Sequence, residues 1–395
     1  MKLLFITSAQ YPDGGASANR HMAYGKGLVE AGHEVIFLLL SKQVSSVRDY
    51  CADGIYYQGA YIENPSSNRN IFNKVDNHFR KLRTKNDILL DSYNKRKIDA
   101  IIILDSDVWV LISTILWANK HKVKLFHERT EYPFVVAGKG LRNKVYLKIY
   151  LSVLLKRFDG IYVINEALRD YLNQLLNKRL PIEIINMIVD DSRFDTVSDT
   201  VTYNNPYIAY CGSINDDKDG VHILVESFCN ALSAGNIDPE TRLLLIGDFK
   251  QDGFLKNLQD ILVNKRCINN AVFTGRVERS VIPPLLNNAS ALVLARPESK
   301  QAEGGFPTKL GEYLATGKPV IVTDVGEIGK FLKDGYNAFL AKPGDVKSFT
   351  NKIAQVFSDY KEALKIGQQG KLLIYNDFNY YKQAMKLARF IEDNL

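Results

Sequence analysis

Short apolar runs alternate with helical patterns along almost the whole 395-residue chain, and this predicts two α/β domains, each built on a Rossmann-like parallel sheet. The pattern breaks once, at the polar, proline-terminated "DTVSDTVTYNNP", which separates the two series. Each half begins with a strand that runs into a polar or glycine-bearing loop and then a helix. In such sheets ligands sit beyond the carboxyl ends of the strands. Two domains facing across a cleft are therefore expected, with the chemistry in the loops that follow strands.

In the first half the expected strands are "KLLFITS" (2–8), "EVIFLLL" (34–40), "AIIILD" (100–105), "KLFHE" (124–128) and "GIYVIN" (160–165). Between the first two lies the helical stretch "NRHMAYGKGLVEAGHEV", with Gly32 as its stop. Nothing between residues 42 and 97 matches a readable pattern. After a linker at 196–206, the second series has strands "YIAYCGS" (207–213), "RLLLIGD" (242–248), "AVFTG" (271–275), "ALVLA" (291–295), "PVIVTD" (319–324) and "NAFLAK" (337–342). The domains are thus 1–195 and 207–377, and the last helix, 378–395, is expected to pack back on the first domain.

Composition narrows the class. Hydrophobic residues at 46% and charged residues at 24% fit a soluble globular protein. The four cysteines (51, 211, 229, 267) are scattered without a C-x-x-C pair, which argues against a disulfide framework and fits a reducing cytosol. The six histidines show no metal-binding spacing, so no metal centre and no cofactor are expected. The opening "MKLLFITSAQYPDGG" is too short an apolar run for a secretory signal, and no run is long enough to span a bilayer. A cytoplasmic location is expected, free or at the inner face of a membrane.

Between residues 120 and 157 ten basic residues face only Glu128 and Glu131. Such a patch suits nucleic acid, an anionic membrane or an acidic substrate, and no nucleic-acid recognition motif accompanies it. Within it "LRNKVYLKIYLSVLLKRF" (141–158) reads as an amphipathic helix, either packed on its own sheet or lying in a membrane interface near a lipid-linked acceptor.

The most informative stretch is "EGGFPTKLGEYLATGKPVI" (303–321). Pro307 suits the first turn of a helix, because its missing N–H would have no partner there, and Gly317 suits its end. The N-terminus of that helix favours an anion by about 0.3–1 kcal/mol when exposed. Gly304 and Gly305 allow close backbone approach, and Lys309 adds a full positive charge. The plainer reading is an ordinary capped helix of an α/β layer.

This stretch, with "TDVGEIGKFLKDGYNAFL" after it and "YCGSINDDKDGVHILVESF" (210–228) before it, resembles the donor-nucleotide segment of glycosyltransferase family 4. "LLLIGD", "FTGRV", "LVLARPES", the opening "SAQYPDGGASANRHMAYGKGLVEAGHEV", "VINEAL" and "MIVDDSRF" extend the resemblance over nearly the whole chain. It implies the GT-B fold and retaining transfer of a sugar from a nucleotide, UDP by family frequency. The acceptor would be a hydroxyl of a glycan or lipid-linked glycan, as in surface-polysaccharide assembly. A front-face reaction without a divalent metal is also implied.

Carried over residue by residue, the resemblance implies that Glu312 holds the ribose hydroxyls and that Lys218 neutralises the diphosphate, joined by Lys309 and Arg296. Gly212 and Ser213, with Gly305, Phe306, Pro307 and Thr308, would line the donor site, and the backbone at Arg276 and Val277 would border the base. Gly14 and Gly15, in "GGASANR", would close over the donor from the first domain. Two departures stand out. Ser213 occupies a position where many relatives carry arginine, with Lys309 as the substitute. Glu303 lies one residue from the place of the first acid of the E-x7-E pattern. Either Glu303 reaches the sugar through a reshaped loop or the amides of Gly305 and Phe306 take over.

"FHERTEYP" (126–133) concentrates charge after a strand. By resemblance His127 orients the reacting sugar, and Glu128, Arg129 and Glu131 lie on the acceptor side. A lysine on the surface, a solvated helix glutamate and a structural ion pair are the bland readings of Lys218, Glu312 and Arg296. A GT-B sugar-nucleotide epimerase and a non-catalytic sugar-nucleotide-binding protein remain as rival functions.

Overall fold

The computed structural model describes residues 1–11, 15–41, 49–60, 71–138, 140–195, 203, 205–214, 216–249 and 252–395. The chain forms two compact units, Met1–Ile188 with Tyr380–Leu395 and Val189–Asn379.

Among the described residues the first unit holds eight strands: β1 (Lys2–Thr7), β2 (Glu34–Leu39), β3 (Asp49–Ala52), β4 (Ile55–Gly59), β5 (Ala100–Ile103), β6 (Lys124–Arg129), β7 (Gly160–Val163) and β8 (Ile182–Ile184). Their order in the sheet is β3-β4-β2-β1-β5-β6-β7-β8, parallel except for the edge pair β3–β4. Because side chains alternate along a strand, the apolar runs feed two cores at once. Leu4, Ile6, Ile101 and Ile103 face one of them, and Leu3, Phe5, Ala100 and Ile102 face the other.

The second face is covered by the helix Ala16–Glu30 and by the C-terminal helix Tyr380–Glu392, whose Ala384, Leu387 and Ile391 join that core. Gly27 lets the two helices meet. A Cβ there would stand 2.6 Å from Ala384 Cβ and 2.8 Å from the Tyr380 carbonyl. The pair β3–β4 and the helix Ile71–Arg96 fall where no pattern was expected. The hairpin turns at Asp53 and Gly54, both with positive φ, which suits an Asp-Gly turn.

The expected single helix over 141–158 is corrected. The chain forms a regular helix over Leu141–Ile149 only, then a wider turn over Tyr150–Leu154 and a tighter one over Leu155–Arg157. Widening and tightening re-aim the buried face, so that Tyr150, Leu154 and Leu155 enter the core.

The described residues of the second unit form a six-stranded, all-parallel sheet of β9 (Tyr207–Cys211), β10 (Arg242–Ile246), β11 (Ala271–Gly275), β12 (Ala291–Leu294), β13 (Val320–Thr323) and β14 (Phe339–Ala341). The order is β11-β10-β9-β12-β13-β14. The absence of a disulfide expected from the scattered cysteines is overturned here, because Cys229 and Cys267 are bonded, with Cα atoms 6.0 Å apart. They stand 38 residues apart in sequence. Cys229 lies on the helix Val221–Ser233, and Cys267 follows the helix Asp252–Asn264 that packs beside it.

Candidate functional site

In the second unit the loops after β9, β10 and β11 are tied together by their own backbones. The Gly212 N–H donates to Ile246 O at 2.8 Å, Ile214 N–H to Asp248 O at 3.0 Å, and Gly247 N–H to Gly275 O at 3.0 Å. Gly247 has to be glycine, since its φ is +140° and a Cβ would lie 1.9 Å from the Gly212 carbonyl oxygen. The same holds for Gly220, with φ +60° and a Cβ 2.1 Å from Ala295 O. It seats the start of the helix Val221–Ser233 against the end of β12.

Gly212, Ser213, Arg276, Val277 and Arg296 therefore all stand at or just beyond the carboxyl ends of parallel strands, where such sheets place their ligands. The helix Thr308–Thr316 starts beside them, with Pro307 at its N-cap position and Gly317 left-handed at its end. Phe306 is buried against Phe331 and Phe378, with ring centroids 5.7 Å away in each case, and Gly305 is buried next to it. Thr308 is half-buried at the first turn.

Lys309 reaches from that helix to Gly212: a Cβ on the glycine would be 2.2 Å from Lys309 Nζ. Its ammonium donates to the Tyr210 hydroxyl at 3.0 Å and forms an ion pair with Asp219. The Tyr210 hydroxyl in turn lies 2.7 Å from Asp219 Oδ2 and 2.8 Å from Ser213 O, the two acceptors available to its one proton. Burial alone would raise the Asp219 carboxyl, but the Lys309 charge and its hydrogen bond, helped by Arg296, hold it below the usual carboxylate range. Lys309, the expected substitute for the missing arginine, thus carries its charge beside a buried counter-ion, Asp219.

Arg296 is buried and close enough to affect both Asp219 and Lys309, and its carbonyl accepts from Thr323 Oγ1 at 2.6 Å. Two further polar atoms, Ser213 Oγ and Asp219 Oδ1, are buried with no hydrogen-bond partner among the described residues. Burying such atoms unpaired is costly unless a ligand or water completes them.

Glu312, one turn along the helix, is not a solvated glutamate. Arg193 Nη1 donates to its Oε1 at 2.8 Å, and both side chains are largely buried. Lys218 is exposed on the short helix Asp216–Asp219. Arg276 is exposed and Val277 half-buried. Glu303 sits half-buried in the short helix Lys300–Glu303, its carboxylate 2.6 Å from Lys300 Nζ. Burial pushes the Cys211 thiol up to about 12, so it is no nucleophile.

In the first unit Gly14 lies outside the described residues, and Gly15 precedes the helix Ala16–Glu30 with φ +71°. The charged cluster proves to be largely internal, which corrects the roles expected for His127 and Glu128. His127 is fully buried in β6. Its Nδ1 donates to Ile103 O at 2.8 Å and its Nε2 accepts from the Tyr150 hydroxyl at 2.8 Å, while Phe158 stacks on the ring at 4.8 Å. Burial, reinforced by the Arg129 charge, lowers its pKa to about 3, so the ring is neutral and both nitrogens are engaged.

Glu128 points to the opposite face of β6. Its carboxylate receives Arg20 Nε at 2.9 Å, the Tyr24 hydroxyl at 3.0 Å and His21 Nε2 at 3.2 Å. Arg20 also donates to the carbonyls of Asn186 and Ile185, at 2.9 and 3.0 Å. This network ties the first helix to β6 and to the segment after β8. Arg129 is buried too, donating to Ser106 Oγ at 2.7 Å and to the carbonyl of half-buried Glu131 at 3.3 Å.

Sequence reasoning missed Arg193, Asp219, Tyr210 and Arg20. Arg193 and Asp219 lie inside quoted stretches, "MIVDDSRF" and "DDKDG", but nothing local distinguishes them from surface charges. Among the described residues no group of three His, Cys, Asp or Glu side chains could hold a metal ion, and no helix is long and apolar enough to cross a membrane.

Residues 205–359 match the family model described as Glycosyl transferases group 1. This segment covers the strands and loops that converge on Gly212, Arg296 and Lys309. The match supports a glycosyltransferase of the group 1 type. An uncharacterized glycosyltransferase of Methanocaldococcus jannaschii is 23% identical over 256 residues, 64% of this chain and 65% of the relative. The chain therefore spans less than two thirds of that relative. Sucrose-phosphate synthase from Thermosynechococcus elongatus superposes with a TM-score of 0.74 at 15% identity, covering 99% of this chain and 98% of its own. The Anabaena protein HepE, solved in complex with UDP and glucose, gives 0.72 at 14% identity, with both chains covered completely. The fold is GT-B.

Proposed function

We propose that this protein transfers a sugar from a nucleoside diphosphate, UDP in the first instance, to a hydroxyl of a glycan or lipid-linked glycan used in surface polysaccharide, with retention at the anomeric carbon. The observation that carries the reading is the convergence at the carboxyl ends of β9 and β12. Glycine backbone, a buried arginine, the Lys309–Asp219 pair and the start of the helix Thr308–Thr316 meet there. That constellation suits an anion with several oxygens, and the UDP bound by the similarly folded HepE supports the choice of donor.

In this reading the diphosphate meets Arg296, Lys218 and the helix start, while the Ser213 hydroxyl donates to a phosphate oxygen. Lys309 then responds to two anions, Asp219 and the departing diphosphate, as negative charge builds on the leaving group. Groups fixed in advance in this way stabilise the transition state without reorganising, and loss of one typically lowers the rate about 10²–10³-fold. Glu312, steadied by Arg193, accepts hydrogen bonds from the ribose diol. The leaving phosphate assists deprotonation of the acceptor hydroxyl, and no divalent metal takes part.

A thermal-shift panel of UDP-, GDP- and ADP-sugars tests the donor, since a ligand at 100 times its Kd stabilises by about 2.7 kcal/mol. Turnover with Lys218→Ala and Glu312→Ala tests the site. Near wild-type rates in both would sink the assignment. Rates abolished by EDTA and restored by Mg²⁺ would overturn the metal-free mechanism.

A further inference from the structure

Arg193 stands on the tight helical turn Asp191–Phe194, which packs against the helices Ile282–Asn287 and Thr308–Thr316. The turn is pinned by its last residue: Phe194 is buried, and its carbonyl accepts from Asn287 Nδ2 at 3.0 Å. From this support the Arg193 guanidinium lies over the Phe194 ring, 5.6 Å from its centroid, and reaches Glu312 with one arm, Nη1. The other arm, Nη2, is buried with no hydrogen-bond partner among the described residues. Burial is the main cause of the raised Cys211 thiol, and the charges of Glu312, Lys309 and Arg193 act on it too, so all three surround the carboxyl end of β9. A brace for Glu312 needs one arm only. Burying the second without an acceptor is costly, the more so because the group is charged.

We propose that Arg193 is a specificity residue for the donor, its Nη2 donating to the oxygen of the same ribose hydroxyl whose proton Glu312 accepts. The inference rests on the transferase reading for its ligand, a nucleoside diphosphate, and assigns what the site selects, a ribonucleotide over a deoxyribonucleotide. A hydroxyl gives one proton and also receives hydrogen bonds, whereas a carboxylate only accepts and a guanidinium only donates. The Arg193–Glu312 pair therefore matches a hydroxyl completely. A C–H bond in its place satisfies neither charge. A phosphate oxygen would also suit Nη2, but the Glu312 carboxylate, 2.8 Å from the neighbouring Nη1, repels a second anion and so favours the neutral hydroxyl.

The test is calorimetric binding of UDP, GDP and ADP, each beside its 2′-deoxy and 3′-deoxy forms, to the full chain and its variants. For the nucleotide that wild type binds, removing one of the two hydroxyls should weaken binding about 100-fold, because two charged groups lose their partner. Arg193→Met should reduce that preference to about tenfold. Glu312→Gln should also retain about tenfold, since Nη2 still donates, and the two changes together should leave none. Arg193→Lys keeps a charge beside Glu312, so its melting temperature should stay near wild type. A single ammonium cannot serve both partners in this geometry, so its preference should fall as in Arg193→Met. Equal weakening of ribo and deoxy forms in Arg193→Met would assign Nη2 to a phosphate and overturn the proposal. Loss of the whole preference in Glu312→Gln alone would reduce Arg193 to a brace and overturn it too. Binding by wild type without preference would overturn the proposal and leave the transferase reading standing, whereas binding of none of the nucleotides would remove both.

Discussion

Replacing Glu128 by glutamine tests whether the buried network of the first unit is an ion-paired brace. Burial alone would raise the carboxyl, but Arg20 and His21 outweigh it and lower the pKa from 4.5 to about 2. A group depressed by that interval contributes roughly 3 kcal/mol of stability, at 1.36 kcal/mol per pH unit. The sign follows from proton binding. The unfolded chain takes up the proton first, so the contribution is complete above pH 4.5 and is lost as pH falls toward 2. Glu128→Gln should therefore destabilise the first unit by about 3 kcal/mol at pH 7 and by only about 1 kcal/mol at pH 3. Both tryptophans, Trp109 and Trp117, belong to this unit, so urea unfolding followed by tryptophan fluorescence reads it separately from the second. An unchanged midpoint at pH 7, or a loss of equal size at both pH values, would refute the reasoning.

Lys85 is fully buried in an apolar core, with Thr114 Oγ1 at 2.8 Å as its hydrogen-bond partner, and burial lowers its pKa to about 7. Because the unfolded chain holds that proton up to higher pH, stability should rise between pH 7 and 10.5. Lys85→Met should stabilise by roughly 2–4 kcal/mol at pH 7, with the gain fading near pH 10 in the same fluorescence assay. Asp219→Asn leaves the Lys309 ammonium buried without its counter-charge, at a cost of about 3–5 kcal/mol. UDP should then raise the melting temperature of the variant more than that of wild type, and equal shifts would show that the ligand does not reach Lys309. Cys229→Ser should lower the stability of the second unit by about 4 kcal/mol, as expected for a loop of this length. Calorimetry before and after reduction of the wild type gives the comparison, and an effect of reduction that persists in the variant would contradict it.

Much of the fold was legible because it rests on local periodicity. Apolar runs such as "KLLFITS" and "RLLLIGD" match β1 and β10 within two residues, since a strand buried on both faces needs an unbroken apolar sequence. The Asp53–Gly54 hairpin has only its turn as a local signal, because one strand of the pair, Asp49–Ala52, is largely exposed and carries no apolar alternation. Around the site, the positions of Gly212, Arg296 and Pro307 at strand and helix ends could be read from the chain. Their electrostatic surroundings could not.

By itself the sequence determined two parallel-sheet layers, the loops that end their strands, and a helix over 308–316 with Gly317 at its stop. The tertiary structure decided what each charged side chain is for. Asp219 meets Lys309 across 90 residues, Arg20 meets Glu128 across 108, and Arg193 meets Glu312 across 119. Parallel strands require long crossovers, so neighbours at their carboxyl ends are distant in sequence. A carboxylate or ammonium takes its role from burial and from the charges facing it, and both exist only once those crossovers have closed.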